Sequence, residues 1–262
     1  MSETLAIYTF HPPAAVITLN RPERRNAFSR GLIAALTEAF QRARDDVAAR
    51  CVIVTGAGSA FCAGMDLAEL SDSLKSEGET DKVWDDALQL ASLYDLIYTL
   101  PKPTIAAVNG AAVAGGAGLV TVCDLAVAIP EAKFGYPEVR RGLVAAMVLP
   151  HLLRHVGERL ARYLLLTGEL IDADEAAAHG LINEVVPSRD QLLDRALAWA
   201  RSLAEGGPQA LRATKQLLHQ FSHQAVSVAE AAKASAAPRL SDEAKQGLAA
   251  FFAKQPVPWA KG

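Results

Sequence analysis

The chain has 262 residues, 51% hydrophobic and 21% charged, with a formal net charge of −3. That balance excludes an intrinsically disordered chain and is enough to bury a sizeable core, in one large α/β domain or two small ones. Lysine and arginine are spread without a dense basic run, which argues against nucleic acid as the main ligand. Cys51, Cys62 and Cys123 sit among apolar or small residues at wide spacing. Such a pattern suits neither a disulfide framework nor a zinc knuckle and points to a reducing compartment. No basic, apolar leader opens the chain, and apolar runs stop well short of the roughly 18 residues that a membrane span needs. The expectation is a cytoplasmic protein with no membrane contact.

In chain order, Ile7 to His11 and Ala15 to Leu19 read as two strands of a hairpin, broken by Pro12-Pro13, which cannot donate ladder hydrogen bonds. Ser29 is placed to cap a helix reaching about Arg44, because Leu32, Ala35, Leu36, Ala39, Phe40 and Ala43 recur at helical spacing. Cys51 to Thr55 is a continuous apolar strand, as expected with both sheet faces covered. A helix from Val83 to Tyr98 follows, then Pro101 and Pro103 as breakers and a strand from Thr104 to Val108. A glycine-rich stretch and a short helix, Gly115 to Val122, precede a strand from Leu125 to Ala128.

Strands alternating with helices predict stacked βαβ-type units. The polar, aperiodic segment from Ser71 to Asp81 reads as a mobile surface loop, which would suit a lid. From Met147 onward the pattern is helical, interrupted as a strand only at Leu181 to Val186. The expected organisation is an α/β core over residues 1–195, followed by a helical region over 196–262.

Two places combine a preceding strand, small residues and a following helix. Gly56-Ala57-Gly58-Ser59-Ala60-Phe61 resembles a dinucleotide fingerprint, but Phe61 occupies the position that needs glycine or alanine for close helix packing. The next residues, Phe61 to Leu67, and the later run from Asn109 to Leu119 each place small residues just before a helix. Unpaired N–H groups there can meet an anion, and glycines permit close backbone approach, although taken alone a plain turn is the better explanation of the first and tight helix packing reads equally well for the second.

Taken together, FCAGMDL, NGAAVAGGAGL with CDLAVA, AKFGYPEVRRGLV, RPERRNAFS and LTGELIDADEAAAHGLINEVV resemble the enoyl-CoA hydratase/isomerase (crotonase) family over nearly the whole chain. The resemblance implies a crotonase-like spiral of stacked ββα/βαβ units with a helical C-terminal region, assembling as a homotrimer or homohexamer. It implies an acyl-CoA thioester as substrate, no further cofactor and no metal. Main-chain N–H groups of Met65 and Gly115 would form the oxyanion hole. Ala63, Asp66 and Leu67, with Ala27 nearby, would lie against the coenzyme A adenine, and Arg24 or Arg25 would reach a phosphate. Phe251 and Lys254 would close over the coenzyme of a neighbouring subunit, with residues 196–262 contributing to oligomerisation.

Hydratases of this family use two glutamates, and here Gly118 stands where the first would be, while Glu138 matches the second. The expected activity is hydration of a 2-enoyl-CoA, possibly a branched one related to methylglutaconyl-CoA. Its nearest rival is Δ3,Δ2-enoyl-CoA isomerisation on Glu138 alone, and a further one is a non-catalytic acyl-CoA binder. His151 and His155, and His219 and His223, have the four-residue spacing of helical metal ligands but lack a third ligand nearby. Ser59 lacks a nucleophile-elbow context, and Asp124 reads as structural. Trp84, Tyr94 and Tyr98 share a helix where packing is the default and an acyl-pocket wall the alternative.

Overall fold

The computed structural model describes residues 4–70, 80–222, 242, 246, 250, 253–256 and 258–260. Two strands, β1 (Ala6–His11) and β2 (Ala14–Leu19), form the expected antiparallel hairpin across Pro12-Pro13. Helix α1 (Arg30–Asp45) begins where Ser29 Oγ accepts a hydrogen bond from Leu32 N and buries Leu32, Ile33, Leu36, Ala39, Phe40 and Ala43 along one stripe. β3 (Cys51–Gly56), helix α2 (Thr80–Tyr98), β5 (Thr104–Val108) and β7 (Leu125–Ala128) continue the pattern, with β4 (Ala60–Cys62) and β6 (Ala111–Val113) between them. β8 (Lys133–Gly135) follows, then helix α4 (Leu149–Thr167), β9 (Leu170–Asp172), helix α5 (Ala173–Ala178) and β10 (Glu184–Val185). Helix α3 (Gly115–Thr121) lies between β6 and β7 and is wholly buried. Helices α6 (Arg189–Glu205) and α7 (Pro208–Phe221) follow, with a 3-10 turn at Pro258–Ala260.

Six strands form one sheet in the order β1-β2-β3-β5-β7-β10, parallel except for the opening hairpin. β3 and β5 are buried on both faces, which is why their sequences read as unbroken apolar runs. Helix α6 covers β3, β5 and β7. A second sheet, in the order β4-β6-β8-β9, was not legible in the sequence. Its strands are three residues each, too short to show a period of two, and two of them adjoin glycine-rich turns.

Other expectations shift at element ends. The strand expected at Leu181 to Val186 contracts to Glu184–Val185, because Leu181 and Ile182 N–H groups fold back onto Ala176 O and close α5. β9 adds a second strand to the late half. The helical pattern after Met147 runs end to end as α4, broken at Gly157, where φ is 67°. Helix α2 already starts at Thr80, at the end of the segment read as a surface loop, while residues 71–79 lie outside the described residues. The division placed at residue 195 falls inside α6, whose Leu192, Ala196 and Ala200 are all buried.

Candidate active site

The second sheet explains why three distant segments meet. β4, β6 and β8 are adjacent and parallel, so their C-terminal ends point the same way. Met65 lies three residues beyond Cys62 on β4, Gly115 two beyond Val113 on β6, and Glu138 three beyond Gly135 on β8. Ligands of open α/β sheets collect at the carboxyl ends of parallel strands. Here a cavity of about 530 Å³ opens there, and Met65, Gly115 and Glu138 all line it.

The two main-chain donors are left available by their surroundings. Phe28 forms a parallel bridge with Met65, donating to Gly64 O at 2.7 Å and accepting from Asp66 N at 2.9 Å. This pattern directs the intervening Met65 N–H away from Phe28. Gly115 opens α3, so its N–H is one of the helix's orphan donors. Among the described residues neither N–H has a hydrogen-bond partner. The turns are in close contact: a Cβ on Gly64 would lie 3.3 Å from Gly115 N, and one on Gly116 would lie 2.0 Å from Cys62 O. Glycine at both positions is what permits that approach. Ala114 is held at φ 54°, ψ −124°, a conformation that L-residues rarely adopt, while its N–H donates to Gly135 O at 2.8 Å. Strain immediately before a proposed donor is the kind that surrounding structure maintains at functional sites.

Glu138 sits in a 3-10 turn, Pro137–Arg141, closed by Gly142 in the left-handed region. Its Oε2 is buried and has no hydrogen-bond partner among the described residues. Burial raises its pKa above the ordinary carboxylate value, opposed by its own backbone N–H and by the Arg141 charge. The buried Tyr136 hydroxyl likewise lacks a partner in hydrogen-bond geometry, although Thr121 is near enough to ease its ionisation slightly. Its pKa is pushed up by burial and then by the Glu138 charge.

At Gly118 the departure from the two-glutamate pattern has a steric counterpart. A Cβ there would meet Val148 Cγ1 at 2.3 Å and Tyr94 Oη at 2.9 Å. Tyr94 is buried, lines the cavity and donates from its hydroxyl to Gly115 O at 2.6 Å. Of the three aromatics on α2, only Tyr94 reaches this cavity. Trp84 is exposed, and Tyr98 packs with His151, His219 and Arg154.

Arg24, Arg25, Ala27, Ala63, Asp66 and Leu67 line the same cavity. The Asp66 carboxylate is not available to a ligand, because it is buried and paired with Arg21 at 2.6 Å. The N–H groups of Ala63 and Asp66 are also occupied, by Arg25 O and Phe28 O, and Asp66 O accepts from Leu70 N at 3.0 Å. Two residues that organise this wall were missed from the sequence, Arg21 and Asn26. Fully buried Asn26 accepts from Arg21 N and donates to Ala57 O and Ala60 O, each at 2.9 Å, so it ties the arginine turn to the start of β4. An asparagine within a turn of charged residues was the available signal.

Lys254 is exposed and is not among the residues lining its own chain's cavity; Phe251 lies outside the described residues. His155 contacts Thr121 O and His151 contacts Arg154, while His223 is outside the described residues. No cluster of metal-binding side chains occurs among the described residues. Asp124 accepts from Thr104 N, Thr104 Oγ1 and Lys215 Nζ, the structural role expected of it. No described helix is long and apolar enough to cross a membrane.

The family model for enoyl-CoA hydratase/isomerase matches residues 11–262. The chain belongs to this family. A Thermus thermophilus protein provisionally named enoyl-CoA hydratase is 44% identical over 92% of this chain and 95% of its own length. The 2,3-dehydroadipyl-CoA hydratase of Escherichia coli is 34% identical over 92% of both chains. A crystal structure of an enoyl-CoA hydratase/isomerase from Marinobacter aquaeolei superposes with a TM-score of 0.90 at 34% identity, covering 98% of this chain and 99% of that one. These similarities extend to the fold as well as the family, so the α/β spiral expected from the sequence is the observed architecture. In this enoyl-CoA hydratase/isomerase family member the second sheet is the frame of the candidate site, and the main sheet its support.

Proposed function

We propose that this family member hydrates a 2-enoyl-CoA, with Glu138 handling the proton and the Met65 and Gly115 N–H groups stabilising the thioester enolate. The observation that carries the reading is one cavity lined by both donors and by a half-buried, raised-pKa carboxylate. Attack of water at C3 moves an electron pair through C2 onto the thioester oxygen. Donors aimed at that oxygen are worth roughly 2.7 to 4 kcal/mol each where one can be removed. Glu138 takes the water proton as its O–C3 bond forms and delivers a proton to C2, returning to its starting charge. A carboxyl raised toward neutrality serves both steps. The coenzyme would lie along the wall of Arg24, Arg25, Ala27, Ala63, Asp66 and Leu67.

The deciding measurement is hydration of crotonyl-CoA and 3-methylglutaconyl-CoA by wild type and Glu138→Gln. The variant should lose about 10²- to 10⁴-fold in kcat; an unchanged rate on an accepted substrate rejects the assignment. The crowding around Gly118 favours a second reading, Δ3,Δ2-isomerisation by one carboxylate moving a proton between C4 and C2. Faster double-bond migration from a 3-enoyl-CoA than hydration of its 2-enoyl isomer would select it. Thioester binding without turnover across an acyl panel would return the reading to a non-catalytic binder. The proposal includes a cytoplasmic homotrimer or homohexamer, supported by the exposed Tyr163, Leu166 and Leu170, with Phe251 and Lys254 closing over a neighbour's coenzyme.

A further inference from the structure

The 3-10 turn that carries Glu138 also carries a second charged group into the cavity. With about three residues per turn, side chains three apart lie on one face, so Glu138 and Arg141 project together. Both line the cavity, as do the apolar Leu143, Val144 and Met147 of the following segment. Arg140, one residue earlier, donates from Nε to Thr167 O at 3.1 Å and forms an ion pair with Glu169. Arg141 has no such partner among the described residues. Among the described residues its hydrogen bond is a 3.4 Å contact to Pro137 O, and no described carboxylate lies within ion-pair distance of it. The other carboxylates on the cavity wall are accounted for elsewhere: Asp66 is held by Arg21, and Glu23 stands beside Arg21 on the arginine turn.

An unpaired guanidinium beside an apolar wall is a poor neighbour for a plain hydrocarbon chain. It is a good one for a planar, bidentate anion. We propose that Arg141 binds a second carboxylate carried on the acyl group, so that this site prefers short dicarboxylic acyl-CoA thioesters to neutral ones of equal length. The inference deepens the hydratase reading and rests on it for the placement of the acyl group beside Glu138. The charge of Arg141 also acts on Glu138, lowering its pKa against the effect of burial.

Calorimetric dissociation constants for glutaryl-CoA and valeryl-CoA, saturated thioesters with five-carbon acyl groups, test this directly. Wild type should prefer glutaryl-CoA by about tenfold or more, the worth of one charge-assisted hydrogen bond. Arg141→Met should bring the ratio close to one, and Arg141→Lys should keep a reduced preference. Absence of preference in wild type, or its survival in Arg141→Met, overturns the proposal. An equal loss for both thioesters in Arg141→Met also overturns it and assigns the guanidinium to the coenzyme phosphates. Because neither probe can be hydrated, a protein inactive on crotonyl-CoA still reports the preference, so failure of the hydratase reading stays separate from failure of this one.

Discussion

Gly118→Ala is the substitution whose outcome the structure constrains most tightly. The added Cβ would sit 2.3 Å from Val148 Cγ1, 2.9 Å from Tyr94 Oη and 3.1 Å from Tyr94 Cζ. Comfortable carbon–carbon separations are about 3.5 to 4.0 Å, so one contact is short by more than an ångström. Both neighbours are buried, and Tyr94 is further fixed by its bond to Gly115 O, so neither moves without disturbing the site. Overpacking of this kind typically costs about 1 to 3 kcal/mol. In a chain of this size each kcal/mol lowers Tm by roughly 2 to 4 °C. Thermal and urea unfolding at fixed protein concentration would measure it. Adding Val148→Ala removes the atom in closest conflict, and the double variant should recover about 1 kcal/mol or more relative to the sum of the singles. A Gly118→Ala protein as stable as wild type, or a double variant showing no recovery, would refute the claim that Tyr94 and Val148 fill the space a glutamate at 118 would need.

Other outcomes follow from the same geometry. Tyr94→Phe removes the donor to a buried carbonyl and should cost about 1 to 3 kcal/mol by urea unfolding, with a fall in kcat larger than any change in KM, because the bond to Gly115 O holds the residue whose N–H is the proposed donor. Ala114→Gly relieves a φ of 54°, so stability measured by denaturant should hold or rise while kcat falls. For Glu138 the raised pKa means that the folded state binds more protons than the unfolded state between the ordinary and the raised value. Stability is therefore fully kept below the ordinary carboxylate pKa and lost as pH rises toward the raised one. Glu138→Gln should accordingly be more stable than wild type at neutral pH and indistinguishable at low pH by unfolding. The acid limb of kcat/KM should lie above the usual carboxylate range and move to higher pH in Arg141→Met.

The main sheet was legible because its central strands β3 and β5 are unbroken apolar runs, and α1 because its stripe and its Ser29 cap agree. The candidate site was legible only as separate turns. Cys62, Val113 and Gly135 end strands of three residues, and nothing local to any one of them reports that the other two are its neighbours. Family resemblance supplied Met65, Gly115 and Glu138, whereas the reasons they meet are ladder hydrogen bonds between distant segments. Asn26 and Arg21 escaped notice because turn polar residues are common, and only the folded chain shows which carbonyls they satisfy. Arg141 was hidden in plain view as half of an arginine pair, since a sequence does not say which of two adjacent cations already has a partner.

Because the proposed donors are main-chain groups in turns that leave the adjacent, parallel strands β4 and β6, their placement follows from backbone pairing rather than from any side chain. Replacing Met65 by another residue would leave that placement unaltered. The stretch from Glu138 to Val148, by contrast, lines the cavity at Glu138, Arg141, Leu143 and each residue from Val144 to Val148. A lineage could thus exchange one acyl preference for another along this stretch while the part that grips the thioester stays as it is.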